Sequence, residues 1–272
     1  MNAPCQGGMW AFCLHSLIRE YGWQFCRRIA LPHPVRTIRA VRAAHALKLS
    51  DGVTALPGGQ ASGSFDGGAR SIVGLGFCLK PLDPLCPACR PNHDCLYLEN
   101  PDWTGMTAVP AACRQCVIRE FGTLAGRAGA AVYIMTSARD ILFDVFAPAL
   151  AEGRFASGLF TLCRYSLKPF ATGLLAAGIR GWLVPFETGD CRDYPTWLQA
   201  DRGNKQEQTA ICETNRQGMA AMLRAAAREP ACAAVREGLV KVMVSGDGAG
   251  AFGRLGDVDD VVPAILDLAR QG

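Results

Sequence analysis

The chain has 272 residues, half of them apolar, with 28 Lys and Arg against 24 Asp and Glu and 13 cysteines. A chain of this length buries a core without covalent staples, and an odd cysteine count with nothing basic ahead of the mixed segment Met9 to Ile18 argues against a secreted disulfide scaffold. No run approaches the ~18 to 20 apolar residues of a membrane span, and so many thiols suit a reducing cytoplasm, even an anaerobic one.

The positive charge is N-terminal: residues 1–50 hold seven Lys and Arg against one acid, whereas the remainder is slightly acidic. Residues 1–50 read as a basic helical segment, broken into two helices at Leu31-Pro32-His33-Pro34. Arg36, Arg39 and Arg42 alternate with Val35, Ile38 and Val41. This pattern predicts a helix that packs on its own domain, with peripheral contact to an anionic membrane through residues 34–49 as the other use. One short stripe without interleaved aromatics does not predict nucleic-acid binding.

Residues 51–70, with Pro57-Gly58-Gly59 and Gly67-Gly68, read as a flexible linker, and 71–272 as one cysteine-rich α/β domain. Ser71 to Phe77 suits a strand, and the proline-rich segment to Cys116 a loop organised by its ligands. Helices then alternate with strands: helix 118–128, strand 131–135, helix 138–152, strand 159–162, helix 167–177 and strand 181–186. This alternation predicts a Rossmann-like parallel sheet covered by helices. A polar loop after Cys191, a helix from Lys205 to Arg228, a strand at Val240 to Val244 and a last helix from Val258 to Arg270 complete the expectation. Gly248-Ala-Gly250-Ala-Phe-Gly253 has dinucleotide-fingerprint spacing, but the following helix starts late and no second strand follows, so it reads as a turn.

Cys86-Pro-Ala-Cys89, Cys95 and Cys113-Arg-Gln-Cys116 place five cysteines within 31 residues, with Cys78 just upstream. Two Cys-x-x-Cys pairs joined by a loop bring four thiolates to one centre, either zinc or an iron–sulfur cluster. More than four cysteines at uneven spacing favour an iron–sulfur cluster of the 4Fe-4S kind over zinc. Cys86, Cys89, Cys113 and Cys116 form one four-ligand set, and Cys78 and Cys95 are replacements for two of them. Cys163 and Cys191 follow successive strands and arrive at the same sheet edge, beside the centre or a ligand bound there. His93 is a candidate ligand, although a solvated loop side chain explains it as well, and Ser137 reads as a helix cap whose neighbouring backbone donors are also suited to an anion. Asp201, Arg202 and Lys205, with Trp197 as an apolar wall, are candidates to hold a small polar ligand, although a solvated helix start explains the same residues.

The run Phe77-Cys78-Leu79 through Cys86-Pro87-Ala88, Cys113 to Ile118, Leu162-Cys163-Arg164 and Gly189-Asp190-Cys191 resembles a cysteine-rich family known only as domain of unknown function one-hundred-sixteen, over roughly residues 72–195. The resemblance implies an α/β fold with Cys78, Cys86, Cys113, Cys116, Cys163 and Cys191 as family-type positions. Cys89 and Cys95 are additions, and Thr136-Ser137-Ala138 stands where that family has a glycine-rich turn. It implies no reaction. The combined expectation is a cytoplasmic iron–sulfur protein that transfers electrons to a partner protein or acts on a small polar ligand. The alternatives are a zinc-stabilised binding module and a thiol or sulfur carrier using Cys163 or Cys191.

Overall fold

The computed structural model describes residues 20–57, 65–99 and 109–227. Helix α1 (Glu20–Phe25) continues through a π-turn, Cys26–Ala30, and Pro34 opens α2 (Pro34–Ala46), where a missing backbone donor costs nothing. The expected break at Leu31–Pro34 is therefore present. Helix α2 buries its small residues Ala40 and Ala44 and leaves Val35, Ile38 and Val41 exposed, so its arginine-flanked apolar stripe faces outward while its alanines face the core.

Five strands form one mixed sheet: β1 (Thr54–Ala55), β2 (Ser71–Gly76), β3 (Ala131–Met135), β4 (Ser157–Leu162) and β5 (Arg180–Pro185), in the order β1-β5-β4-β2-β3. The four longer strands are parallel, and β1 is an antiparallel edge on β5. Part of the glycine-rich stretch that composition assigns to a linker thus supplies an edge strand, and Leu56 and Phe65 on either side of its central residues are fully buried.

The connecting segments are α3 (Leu96–Glu99), α4 (Ala111–Arg114), α5 (Val117–Arg127), α6 (Ala138–Ile141), which a π-turn at Leu142–Phe146 joins to α7 (Ala147–Glu152), then α8 (Leu167–Ala177), α9 (Tyr194–Asp201) and α10 (Glu213–Ala226). Alternate strand residues face opposite sides. Val73, Leu75, Val132, Ile134 and Val184 pack with α5 and α10, while Ile72, Tyr133, Phe160, Leu162 and Leu183 pack with α2, the α6–α7 unit and α8. The sheet is buried on both faces, which explains its continuous apolar strands.

The expected helix from Lys205 to Arg228 starts late, at Glu213, after an irregular stretch, and the expected polar loop before it contains α9. Asp193 caps α9 by accepting from the Thr196 amide at 2.9 Å, and Gly203, at φ +84°, takes the left-handed conformation just beyond its end. Residues 208–210 are held back from helix formation because Ala210 pairs with Thr188 across an isolated bridge. Cys212 then caps α10 through its sulfur. The strand at Val240–Val244, the glycine run Gly248–Gly253 and the last helix lie outside the described residues.

The strand order sets the location of the site. From the interior strand β2 the chain goes to β3 on one side and then to β4 on the other, so the connections leaving β2 and β4 diverge. A crevice opens at their carboxyl ends, where open parallel sheets place ligands.

Candidate functional site

The crevice is lined by three thiols from three strand ends. Cys78 follows β2 on a 3₁₀ turn, Cys163 follows β4, and Cys191 returns after β5 on the turn Glu187–Cys191. Gly76 leaves space for the first, since a Cβ there would lie 3.1 Å from the Cys78 sulfur. Gly189, at φ +63°, shapes the turn for Cys191, and a Cβ there would meet the Gln208 carbonyl at 2.2 Å. The buried Thr209 hydroxyl donates to the Gly189 carbonyl at 3.0 Å and lies within hydrogen-bonding reach of the Cys78 thiol. The cavity measures about 100 Å³ and is walled by Phe77, Phe170, Phe186 and Trp197, with Lys205 and Asp201 at its polar side.

These thiols differ electrostatically. Burial pushes Cys78 up to about 11. Cys163 is raised because its hydrogen bond with Cys191 stabilises its protonated form, and burial adds to this. Cys191 is lowered by the same hydrogen bond, and Lys205 further offsets the cost of its burial.

The cysteine-rich loop builds a separate pocket. Cys86, Cys95, Cys113 and Cys116 line it together with Lys80, Tyr97 and Arg119. Cys113 and Cys116 come from α4 and the start of α5, Cys95 immediately precedes α3, and Cys86 sits on the irregular loop. Burial raises the Cys113 and Cys116 thiols, so without a cation between them they hold their protons. The cavity they surround is about 10 Å³, the space of a single water. Among the described residues no three His, Cys, Asp or Glu side chains are placed to hold a single metal ion.

Lys80 is the unusual member of this pocket. It is 1% exposed, and its ammonium donates to the Cys89 carbonyl at 3.0 Å, the Asn92 carbonyl at 2.9 Å and the Asn92 side-chain oxygen. All three acceptors are neutral, and among the described residues the ammonium makes no ion pair at contact distance. Burial lowers it, and the nearest negative potential comes first from the Cys86 and Cys95 thiols, then from Asp94 and Glu99. Arg119 adds a second cation, stacked 4.4 Å from the Tyr97 ring and bonded to the Cys113 carbonyl at 3.2 Å.

Arg90 joins pocket and crevice. Its guanidinium donates to the carbonyls of Cys78 at 2.8 Å, Lys205 at 2.6 Å and Glu207 at 3.3 Å, and its charge acts on both Cys78 and Cys86. Its buried Nε has no hydrogen-bond partner among the described residues.

A third, polar cleft of about 610 Å³ opens beside the crevice between the His93 loop, the end of β3 and Asp201-Arg202-Gly203. The expectation for His93 is corrected here, because its ring is 5% exposed rather than solvated. Its Nδ1 meets the Ile134 carbonyl at 2.6 Å, and its Nε2 meets the Thr136 hydroxyl at 3.1 Å. Thr136 gives its proton to Asp140 at 2.6 Å, which links the ring to the carboxylate through one hydroxyl. The ring Nε2 stands 3.7 Å from the Asp140 carboxylate. Burial would raise Asp140, but hydrogen bonds from His93, Thr136 and Ser137 outweigh it and hold Asp140 at about 2.

Ser137 caps α6 as expected, accepting from the Asp140 amide at 3.1 Å. The adjacent Ala138 amide is occupied by the Asp201 carboxylate at 2.7 Å, so the position considered for an external anion holds one of the protein's own carboxylates. Burial raises Asp201 to about 6, and the nearby Asp140 charge adds to this.

The structure therefore divides the predicted ligands. It gathers Cys86, Cys95, Cys113 and Cys116 around Lys80, places Cys78 with Cys163 and Cys191 in the crevice, and leaves Cys89 exposed at φ +61°. Trp197, Asp201 and Lys205 line the crevice, and Arg202 lines the polar cleft. Lys80, Arg90 and Thr209 were not singled out from the sequence, and neither was the chain of contacts that joins His93, Thr136 and Asp140. For Lys80 and Arg90 the available signal was a basic residue inside a run of cysteines and prolines. No family model, curated protein or solved structure matches the chain.

Proposed function

We propose that this is an iron–sulfur protein of a reducing cytoplasm, with Cys86, Cys95, Cys113 and Cys116 as the ligands. The adjoining crevice then takes a small polar ligand or the group that exchanges electrons with a partner protein. The observation that carries this reading is the set of four thiols around a buried lysine that has only neutral acceptors. A buried cation is costly unless a counter-charge accompanies it. Four thiolates around a dipositive metal or cluster core carry a net charge of about −2, which Lys80 and Arg119 together balance.

An iron–sulfur centre supplies one-electron transfer when bound. The chain's own residues do the rest. Lys80 and Arg119 hold positive charge against the ligand sulfurs, and Arg90 spans the distance between Cys86 and the Cys78 side of the crevice. Because the cavity now has the volume of one water, binding requires the loop carrying Cys86 and Cys95 to shift. That loop has only one short helix, α3, to resist the shift. Cys89 is the addition that this reading excludes as a ligand, since its side chain is exposed outside the pocket.

The test is to prepare the full chain without oxygen and measure iron, sulfide and zinc together with the visible spectrum. Matched iron and sulfide that are lost in Cys86→Ser and Cys113→Ser, and kept in Cys89→Ser, support the assignment. Stoichiometric zinc in a colourless protein replaces it with the zinc-stabilised module.

A further inference from the structure

The crevice thiols have no role in the centre just described, and their arrangement suggests one of their own. Cys163 and Cys191 stand at the ends of the paired parallel strands β4 and β5. The amide of Phe186, just past β5, donates to the Leu162 carbonyl at 2.9 Å, which keeps the two strand ends together. Both thiols line one cavity walled by aromatic side chains, and each acts on the other's ionisation. Cys78 completes the trio, yet no three such groups are placed as a metal site among the described residues.

We propose that Cys163 and Cys191 form a redox-active dithiol that exchanges with small disulfides entering this crevice. Cys191 is the attacking thiol. Lys205 lines the same cavity, where its charge favours the Cys191 anion. The Lys205 backbone is held in place by Arg90. Cys163 keeps its proton and is the resolving thiol, while Cys78, held by Thr209, stays out of the exchange.

The steps balance. The Cys191 thiolate attacks one sulfur of a disulfide, forming a mixed disulfide and releasing one thiolate, which takes up a proton from water. Cys163 then loses its proton to solvent and attacks the Cys191 sulfur, forming the Cys163–Cys191 bond and releasing the second thiol. Overall, two protein thiols are oxidised by two electrons and one small disulfide is reduced to two thiols. The reverse reaction with excess small thiol restores the dithiol. The chemistry involves only these side chains and stands whether or not a metal occupies the other pocket.

The experiment equilibrates the full chain, without oxygen, in graded mixtures of 2-hydroxyethyl disulfide and 2-mercaptoethanol, with acid quenching, alkylation and peptide mapping. The proposal expects Cys163 and Cys191 to convert together as one linked pair while Cys78 remains a thiol. In Cys163→Ser the exchange should stop at a stable adduct on Cys191, and in Cys191→Ser adduct formation at Cys163 should be at least about tenfold slower than that. Wild-type protein in which Cys163 and Cys191 stay as thiols across the series overturns the proposal. So does oxidation confined to Cys86, Cys89, Cys95, Cys113 and Cys116. Iron and sulfide content, measured on the same samples, reports separately on the centre.

Discussion

The two sets of cysteines are built on different supports. In the crevice, each thiol stands beyond the end of a parallel strand whose register is fixed by its neighbours and whose faces are buried on both sides. In the four-thiol pocket, the loop carrying Cys86 and Cys95 has one four-residue helix, and a buried lysine bonded to three neutral oxygens takes the central place. The first arrangement holds its geometry without help and differentiates chemically identical thiols by hydrogen bond and charge. The second leaves a buried cation without a counter-charge at contact distance among the described residues, which the proposed anionic centre would supply. The same residue type thus stands on two supports that differ in rigidity and charge.

The sharpest way to break this comparison is to exchange the sets. Cys86→Ser and Cys113→Ser should lose essentially all bound metal by elemental analysis, whereas Cys163→Ser and Cys191→Ser should retain it. If the crevice variants lose metal equally, the division into two sites fails.

Asp201 tests whether the crevice edge is as fixed as described. Its folded value of about 6 lies above the ordinary carboxylate value near 4, so its ionisation works against folding, and that cost grows as pH rises from about 4 to about 6. Asp140 and Arg202 are the charged groups that bear on it, and the Ala138 amide is its donor. Asp201→Asn keeps an acceptor for that amide. It should raise unfolding stability by up to about 3 kcal/mol at pH 8 and leave it nearly unchanged at pH 4, as read by denaturant titration at both values.

Asp140 gives the opposite sign. Held at about 2, below its unfolded value, it contributes about 2.5 kcal/mol above pH 4, and this is lost as pH falls toward 2. Denaturant midpoints followed from pH 5 to pH 2 should drop more steeply in the wild type than in Asp140→Asn. Smallest is the α6 cap. Ser137→Ala should cost about 1 kcal/mol by thermal or chemical unfolding, without affecting metal content.

Much of the scaffold was legible because its signals are local. The alternation from Val117 to Pro185 gave each helix and strand to within about two residues, since long apolar-periodic segments carry their own pattern. The late start of the helix expected at Lys205 was not legible. The bridge from Ala210 to Thr188 and the cap by Cys212 depend on a turn twenty residues away and on an unusual sulfur acceptor. Spacing identified the cysteines as two pairs and two strand-edge residues, but it could not show that Cys95, not Cys89, joins Cys86. That distinction follows from the loop geometry around Lys80 and Asn92. His93 escaped for a related reason, because a histidine in a polar loop reads as solvated until the carbonyl of Ile134 and the hydroxyl of Thr136 are seen to close on it.

The central claim is that the pocket around Lys80 holds a metal–thiolate redox centre. Its most direct test is the visible spectrum of the anaerobically prepared full chain, read with iron and sulfide content in the wild type and in Cys86→Ser. A broad visible band with matched iron and sulfide, bleached by reductant and absent from the variant, is the predicted result. A colourless wild type with neither iron nor sulfide, after anaerobic reconstitution with both, would contradict the account.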